Sequence, residues 1–222
     1  MVVAAGRGTR LDAGVPKAFV PLHGEPLLAH ALRRVHDSGV VDEVVVVVPE
    51  DGAPPLPGVI MEFRHHAVVP GGPTRQASVR RGLAALSGDV DVVLVHDAAR
   101  CLAPPSLVAA VAAAVRAGHV AVVPGVPVTD TVRSLDGQVV DRARLRAVQT
   151  PQGFSRQVLE RAHELASAHA HDEALAATDD AGLVEQAGGT VHVVPGSPDA
   201  FKVTTPLDLT LAEAVLAREL TR

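Results

Sequence analysis

Five valines in a row, Val44 to Val48, constrain this chain more than any other stretch of it. A run of β-branched side chains with no alternating polar positions reads as a strand buried on both faces, and such strands belong to parallel sheets covered by helices. Together with Glu43 the run predicts a strand over 43–48, and similar apolar runs predict strands over 90–95, 120–123 and 191–194. Between them, 26–35, 75–86, 105–117, 156–168, 179–187 and 206–220 have helical spacing or composition. This alternation predicts an α/β fold in three layers, a mostly parallel sheet with helices on both faces, whose ligands sit beyond the carboxyl ends of the strands. The rhythm changes within 125–150. There Pro127, a charged stretch, the turn-forming Asp136-Gly137 pair and the short Val139-Val140 run predict a protruding β-hairpin arm at about 127–149. With 222 residues and no fixed-period repeat, one domain over 1–222 is expected. Only Met1, Val2 and Val3 precede the first glycine turn, short for a central strand, which leaves the start codon open to question.

Composition narrows the partners. Lys and Arg number 20 against 25 Asp and Glu, a formal charge of −5, so the overall field does not favour a polyanion, and nucleic acid is not an expected partner. Trp and Tyr are absent and Phe occurs four times, which removes the platforms on which single-strand binders stack bases. One cysteine, Cys101, excludes an internal disulfide framework and suits a reducing compartment. No apolar run reaches membrane-spanning length and no signal segment is present, so a cytoplasmic protein without a membrane partner is expected. The histidines show no H-E-x-x-H and no Cys/His pairing, and His65, His66, His163, His169 and His171 are read as surface residues at a strand end and a helix end.

Two segments carry chemistry on their own residues. Ala4-Ala5-Gly6-Arg7-Gly8-Thr9-Arg10 follows an apolar stub, and its glycines allow backbone N–H groups to curl around a phosphate. Leu11 stands where a dinucleotide fingerprint needs Gly or Ala, and Lys17 follows Pro16 rather than the Gly of a Walker loop, so both of those loops are disfavoured. What remains is a glycine turn with two following cations, Arg10 and Lys17, which suits a nucleoside triphosphate. Asp97, in Leu94-Val95-His96-Asp97-Ala98-Ala99-Arg100, ends a predicted strand. It suits Mg²⁺, which often binds one or two carboxylates plus substrate phosphates, and equally suits a cap for the helix expected near Pro105. Gly71-Gly72-Pro73-Thr74-Arg75-Gln76-Ala77-Ser78 is a glycine loop leading into a helix, and Thr178 is a natural N-cap.

The Ala-Ala-Gly-x-Gly-x-Arg and Pro-Lys pair resembles the amino-terminal signature of sugar nucleotidyltransferases. The His96-to-Arg100 string is similar to the mark of one branch, the 2-C-methyl-D-erythritol 4-phosphate cytidylyltransferases. Motifs matching that family run in order from Ala4 to about Leu216. The resemblance implies a three-layer Rossmann-like nucleotidyltransferase fold. It also implies a reaction joining CTP to methylerythritol phosphate with release of pyrophosphate, in the non-mevalonate route to isoprenoid precursors. Mg²⁺ or another divalent cation would sit on Asp97. Ala4, Ala5, Gly6, Gly8 and Thr9 would line the triphosphate, with Gly72, Ser78 and Ala98 on the nucleoside side. Arg10 and Lys17 would neutralise charge at the α-phosphate; Thr131 and Arg142, from the arm, would contact the acceptor, and Lys202 would hold its phosphate. Arg100, Thr150, Thr178 and Asp199 would complete the acceptor pocket. The arm would be exchanged in a homodimer. Departures from the family pattern are Cys101 where Pro is usual, Pro73 in place of an acidic residue, and Ala200-Phe201 before Lys202. The alternatives are a ribitol 5-phosphate or other sugar-phosphate cytidylyltransferase, and a nucleotide-binding module without catalysis.

Overall fold

The structure is a computed structural model that describes residues 1–6, 8, 11, 14–172 and 176–220. The main sheet has eight strands: β1 (Val2–Val3), β4 (Glu43–Val48), β5 (His65–Pro70), β6 (Val92–Asp97), β7 (Ala121–Pro127), β10 (Arg146–Val148), β11 (Gln152–Ser155) and β12 (Val191–Pro195). Two small hairpins lie apart from it, β2 (Pro21–Leu22) with β3 (Glu25–Pro26) and β8 (Val132–Arg133) with β9 (Val139–Val140). The α-helices are α1 (Leu27–Asp37), α2 (Arg75–Ala84), α3 (Pro105–Arg116), α4 (Arg156–Leu165), α5 (Asp180–Gln186) and α6 (Pro206–Leu220). Across the sheet the order is β5, β4, β1, β6, β11, β7, β10, with β12 also on β7. The pairs among β5, β4, β1 and β6 are parallel, as is β12 with β7, whereas β11 and β10 run antiparallel to their neighbours.

The valine run is buried for the reason its sequence suggests. Val45 and Val47 pack with Val79 and Leu83 of α2, while Val44 and Val46 pack with Leu28 and Leu32 of α1 on the other face. Phe154, Leu159 and Val184 bring α4 and α5 to the α2 face, and Val111 and Val115 of α3 close over Val122. α3 starts with Pro105 at its first turn, where a missing N–H costs nothing.

Two predicted strands begin late: β6 starts at Val92 and reaches Asp97, and β7 starts at Ala121 and runs on to Pro127. β11 has no counterpart among the predicted strands. Its Gln-Gly-Phe-Ser sequence lacks β-branched residues because α3 lies directly over it: a Cβ at Gly153 would stand 2.6 Å from Val111 and 2.9 Å from Val115. Within 127–149 a small hairpin forms, with Gly137 at φ +88° in its turn and Val132–Arg133 paired to Val139–Val140, while Arg146–Val148 joins β7 in the main sheet. Among the described residues, no helix is long and apolar enough to cross a membrane.

Candidate active site

β1 is the strand that assembles the site. Val3 pairs with Val47 on one side and Asp97 on the other, the Ala98 N–H donates to Val3 O (3.0 Å), and the Ala4 N–H donates to Val47 O (2.7 Å). The glycine turn therefore leaves the sheet beside the carboxylate at the end of β6, which is where parallel strands present ligands. Ala4 and Ala98 are buried at the base of the turn and Gly6 is exposed above them. Gly8 has φ +68°, and a Cβ there would meet the Lys17 Cβ at 2.4 Å, so the turn lies against the stem of Lys17. Thr9 and Arg10 lie outside the described residues.

The 71–72 loop closes on the same turn. A Cβ on Gly71 would stand 2.5 Å from the Ala5 Cβ, and the Gly72 N–H donates to Ser78 Oγ (3.1 Å). Thr74 caps α2 by accepting from the Ala77 N–H, which fixes where the helix begins and hence where Arg75 points.

Asp97 is the electrostatic centre. Its odd position on β6 turns its side chain to the face covered by α2 and α5. Lys202 donates Nζ to Oδ2 at 2.8 Å and Arg75 donates Nε to Oδ1 at 3.4 Å. Burial by itself would raise this carboxyl, and the charges of Arg75 and Lys202 outweigh burial and hold it well below the usual carboxylate range. Asp97 does not cap the following helix: α3 is preceded by Pro104 and has no side-chain cap.

Behind Asp97, Arg75 donates Nη1 to Asp180 Oδ2 (2.7 Å), and Asp180 Oδ1 accepts from His163 Nε2 (2.8 Å). Asp180 is also lowered: burial opposes ionisation, and Arg75 and His163 reverse the balance. His163 is 2 % exposed, so its expected surface position is corrected: it lies on the inner side of α4 facing Asp180, whereas His65, His66, His169 and His171 are exposed. Arg75, Asp180 and His163 are functional candidates that sequence reasoning passed over; the usable signal was Arg75 at the helix start next to the Gly71-Gly72 loop.

The other predicted residues fall into three places. Thr150 is buried; its Oγ1 accepts from the Asp97 N–H (3.0 Å) and lies 3.0 Å from His96 Nδ1, so it props the strand end. Arg100 donates Nη1 to Ala200 O (2.8 Å) and Nη2 to Val148 O (3.1 Å), and its buried Nε has no partner among the described residues. Asp199 is half-buried beside Ala200 in the same turn. Thr178 is exposed and is not the cap of α5: Asp179 takes that place, accepting from the Gly182 N–H at 3.0 Å, because its extended backbone (φ −149°, ψ 167°) aims the carboxylate at the helix start. Thr131 and Arg142 sit on the exposed arm, where Arg142 donates to Thr129 O. Cys101 is buried, its thiol pushed up to about 12 by burial.

A cavity of about 650 Å³ lined by Asp42, Arg64, Leu86, Asp89 and Arg116 lies elsewhere, at the amino ends of β4 and β6. The charged groups above gather at the carboxyl ends, and that end is the candidate active site.

The family model for 2-C-methyl-D-erythritol 4-phosphate cytidylyltransferase matches residues 1–218. The chain belongs to this family. It is 53 % identical over 226 residues to the enzyme of that name from Saccharopolyspora erythraea, covering 98 % of each chain. To its counterpart from Streptomyces avermitilis it is 50 % identical, with 98 % of this chain and 91 % of the relative covered. The crystal structure of the cytidylyltransferase from Thermus thermophilus superposes with a TM-score of 0.81 at 39 % identity, covering 97 % of both chains. The family match confirms the α/β nucleotidyltransferase architecture and the enzyme class expected from the motifs.

Proposed function

We propose that this cytidylyltransferase joins CTP to 2-C-methyl-D-erythritol 4-phosphate, giving 4-diphosphocytidyl-2-C-methyl-D-erythritol and pyrophosphate, as a step in non-mevalonate isoprenoid precursor synthesis. The observation that carries the site reading is the pairing of Val3 with Asp97, which sets a phosphate-binding turn beside a carboxylate already touched by Lys202.

An oxygen of the acceptor phosphate forms a bond to the α-phosphorus of CTP. The bond from that phosphorus to the bridging β-oxygen breaks, and pyrophosphate leaves with the electron pair. The attacking oxygen is already ionised, so no general base is needed, and catalysis is alignment plus relief of charge repulsion. Backbone N–H groups of Ala5, Gly6 and Gly8 cradle the triphosphate, Gly72 and Ser78 flank the nucleoside, and Lys17 with Arg10 balances charge at the α-phosphate. Lys202 and Arg100 take the acceptor phosphate.

The donor set fits Mg²⁺. Asp97 Oδ2, which Lys202 Nζ now holds on the more exposed side, is the hard oxygen that would pass to the ion, and among the described residues no three His, Cys, Asp or Glu are grouped to hold a metal, so substrate phosphates and water would complete the shell. Bound there, the ion would neutralise triphosphate charge and orient the leaving group.

Thr131 and Arg142 flank the arm's two-stranded sheet, which is separate from that of Asp97, and the arm exposes Leu135 fully and Val139 to 60 %. Both facts suit a homodimer in which each arm serves the partner's site. Cys101, a buried free thiol, suits a cytoplasmic enzyme.

The test is pyrophosphate release over a panel of nucleotides and acceptors with Mg²⁺. CTP with methylerythritol phosphate is the expected pair. Release with ribitol 5-phosphate but not methylerythritol phosphate would reassign the acceptor, and no release from any pair would leave a nucleotide-binding module without catalysis.

A further inference from the structure

We propose that Arg75 is a positioning residue for the reaction, holding the Asp97 carboxylate in the orientation that presents one oxygen to the cleft, and that Asp180 and His163 serve to hold Arg75. This rests on the reading of Asp97 as the ligand of the divalent cation.

The geometry divides the two oxygens of Asp97. Oδ1 faces inward to Arg75 Nε (3.4 Å), and Oδ2 faces Lys202 Nζ (2.8 Å) on the open side. A lone aspartate rotates about its last side-chain bond at little cost, because that torsion is broad. A guanidinium does not share that freedom when its other edge is fixed, and Arg75 Nη1 is fixed by Asp180 at 2.7 Å. The planar fork thus spans two carboxylates, one at the site and one behind it.

Asp180 is directed at this task. It is 1 % exposed, out of reach of any substrate, and both of its oxygens are used, one on Arg75 and one on His163. Its backbone is pinned as well: the Asp180 and Ala181 N–H groups both donate to Gln152 Oε1 (3.3 Å each), and Gln152 Nε2 donates to Asp179 (2.8 Å). The order of contact runs from His163 on α4 through Asp180 on α5 and Arg75 on α2 to Asp97 on β6. Groups that orient a metal ligand from behind commonly matter to ion affinity and turnover nearly as much as the ligand does.

The decisive variant is Arg75→Lys, which keeps the charge and removes the fork; Asp180→Asn is the second. Three quantities are read for each: the affinity of Mn²⁺ in the presence of a non-reacting methylene analogue of CTP, followed by the electron paramagnetic resonance of free Mn²⁺; kcat and the KM for each substrate; and the thermal midpoint. We expect Arg75→Lys to remain folded, to weaken Mn²⁺ about 10- to 100-fold and to lower kcat by a similar factor, with the acceptor KM little changed. Asp180→Asn should act in the same direction if it folds. Wild-type Mn²⁺ affinity and kcat in Arg75→Lys, even with a lowered thermal midpoint, would make Arg75 a pin between helices and overturn the proposal. Asp97→Asn separates the two readings. If it leaves Mn²⁺ affinity intact, the metal assignment fails; if it abolishes binding while Arg75→Lys does not, only the positioning role fails.

Discussion

At the scale of single residues, charge pairing and burial set both turnover and acid stability. Removing Lys17 leaves the α-phosphate without one of its two proposed cations, and Lys17→Ala should keep the fold while losing about 10²- to 10³-fold in kcat, as circular dichroism and steady-state rates would show. The buried pair of Arg75 and Asp180 carries stability differently. Deleting Asp180 leaves Arg75 with Asp97 alone and His163 Nε2 without its acceptor, so Asp180→Ala should cost about 1–3 kcal/mol of unfolding free energy, measurable by denaturant titration. His96 is buried, and burial lowers its pKa to about 4 from 6.5. Its folded value lies below the unfolded one, so its contribution is whole above about pH 6.5 and is lost as pH falls towards 4. Asp97 and Asp180, also held low, contribute fully above their unfolded pKa of about 3.9 and lose that contribution only below it. Unfolding free energy should therefore decline in two stages on acidification. In His96→Asn the stage between pH 6.5 and 4 should shrink, and an unchanged slope there would contradict the assignment.

At the scale of elements, the site is held by close backbone approaches that only glycine permits. Gly71→Ala would push a methyl to 2.5 Å from the Ala5 Cβ and 3.1 Å from Val48 O, prying the 71–72 loop from the glycine turn. We expect a loss of roughly 1–3 kcal/mol in stability and a raised KM for CTP, with the acceptor KM unaffected; an unchanged CTP KM would separate the two loops functionally. The same elements explain what the sequence made legible. The valine run, the helix spacings and the Asp136-Gly137 turn are local signals, and each produced its element. β11 was hidden because its place in the sheet is dictated by α3 packing over Gly153, a contact remote in sequence. Lys17 stands out in the sequence beside the glycine turn, Asp97 at a strand end reads equally as a cap until the resemblance makes it a ligand candidate, and Lys202 comes through resemblance alone. Arg75, Asp180 and His163 stayed hidden for a common reason. Their meaning lies in contacts between α2, α4, α5 and β6, and a histidine on an amphipathic helix looks the same in sequence whether it meets water or a buried carboxylate. The cap of α5 was misplaced by one residue because Thr178 and Asp179 are both good caps and only backbone geometry chooses Asp179.

At the scale of the whole molecule, the sheet brings the turn and the carboxylate to one end, where Lys202, some two hundred residues from the turn in the chain, meets Asp97, while Arg142 sits on the exposed arm. If arms are exchanged in a homodimer, protomers carrying Asp97→Asn and protomers carrying Arg142→Ala, each inactive alone, should regain about a quarter of wild-type activity on mixing, the statistical share of intact sites in a two-fold dimer. No recovery would return Arg142 to its own chain or remove it from the reaction. The central claim is that these groups surround one phosphorus atom and one divalent ion. A crystal soaked with Mn²⁺ and the non-reacting CTP analogue tests it most directly. Anomalous scattering should place the metal on the Asp97 carboxylate with the α-phosphate beside Lys17, and a metal peak away from Asp97, or a triphosphate bound outside the glycine turn, would contradict it.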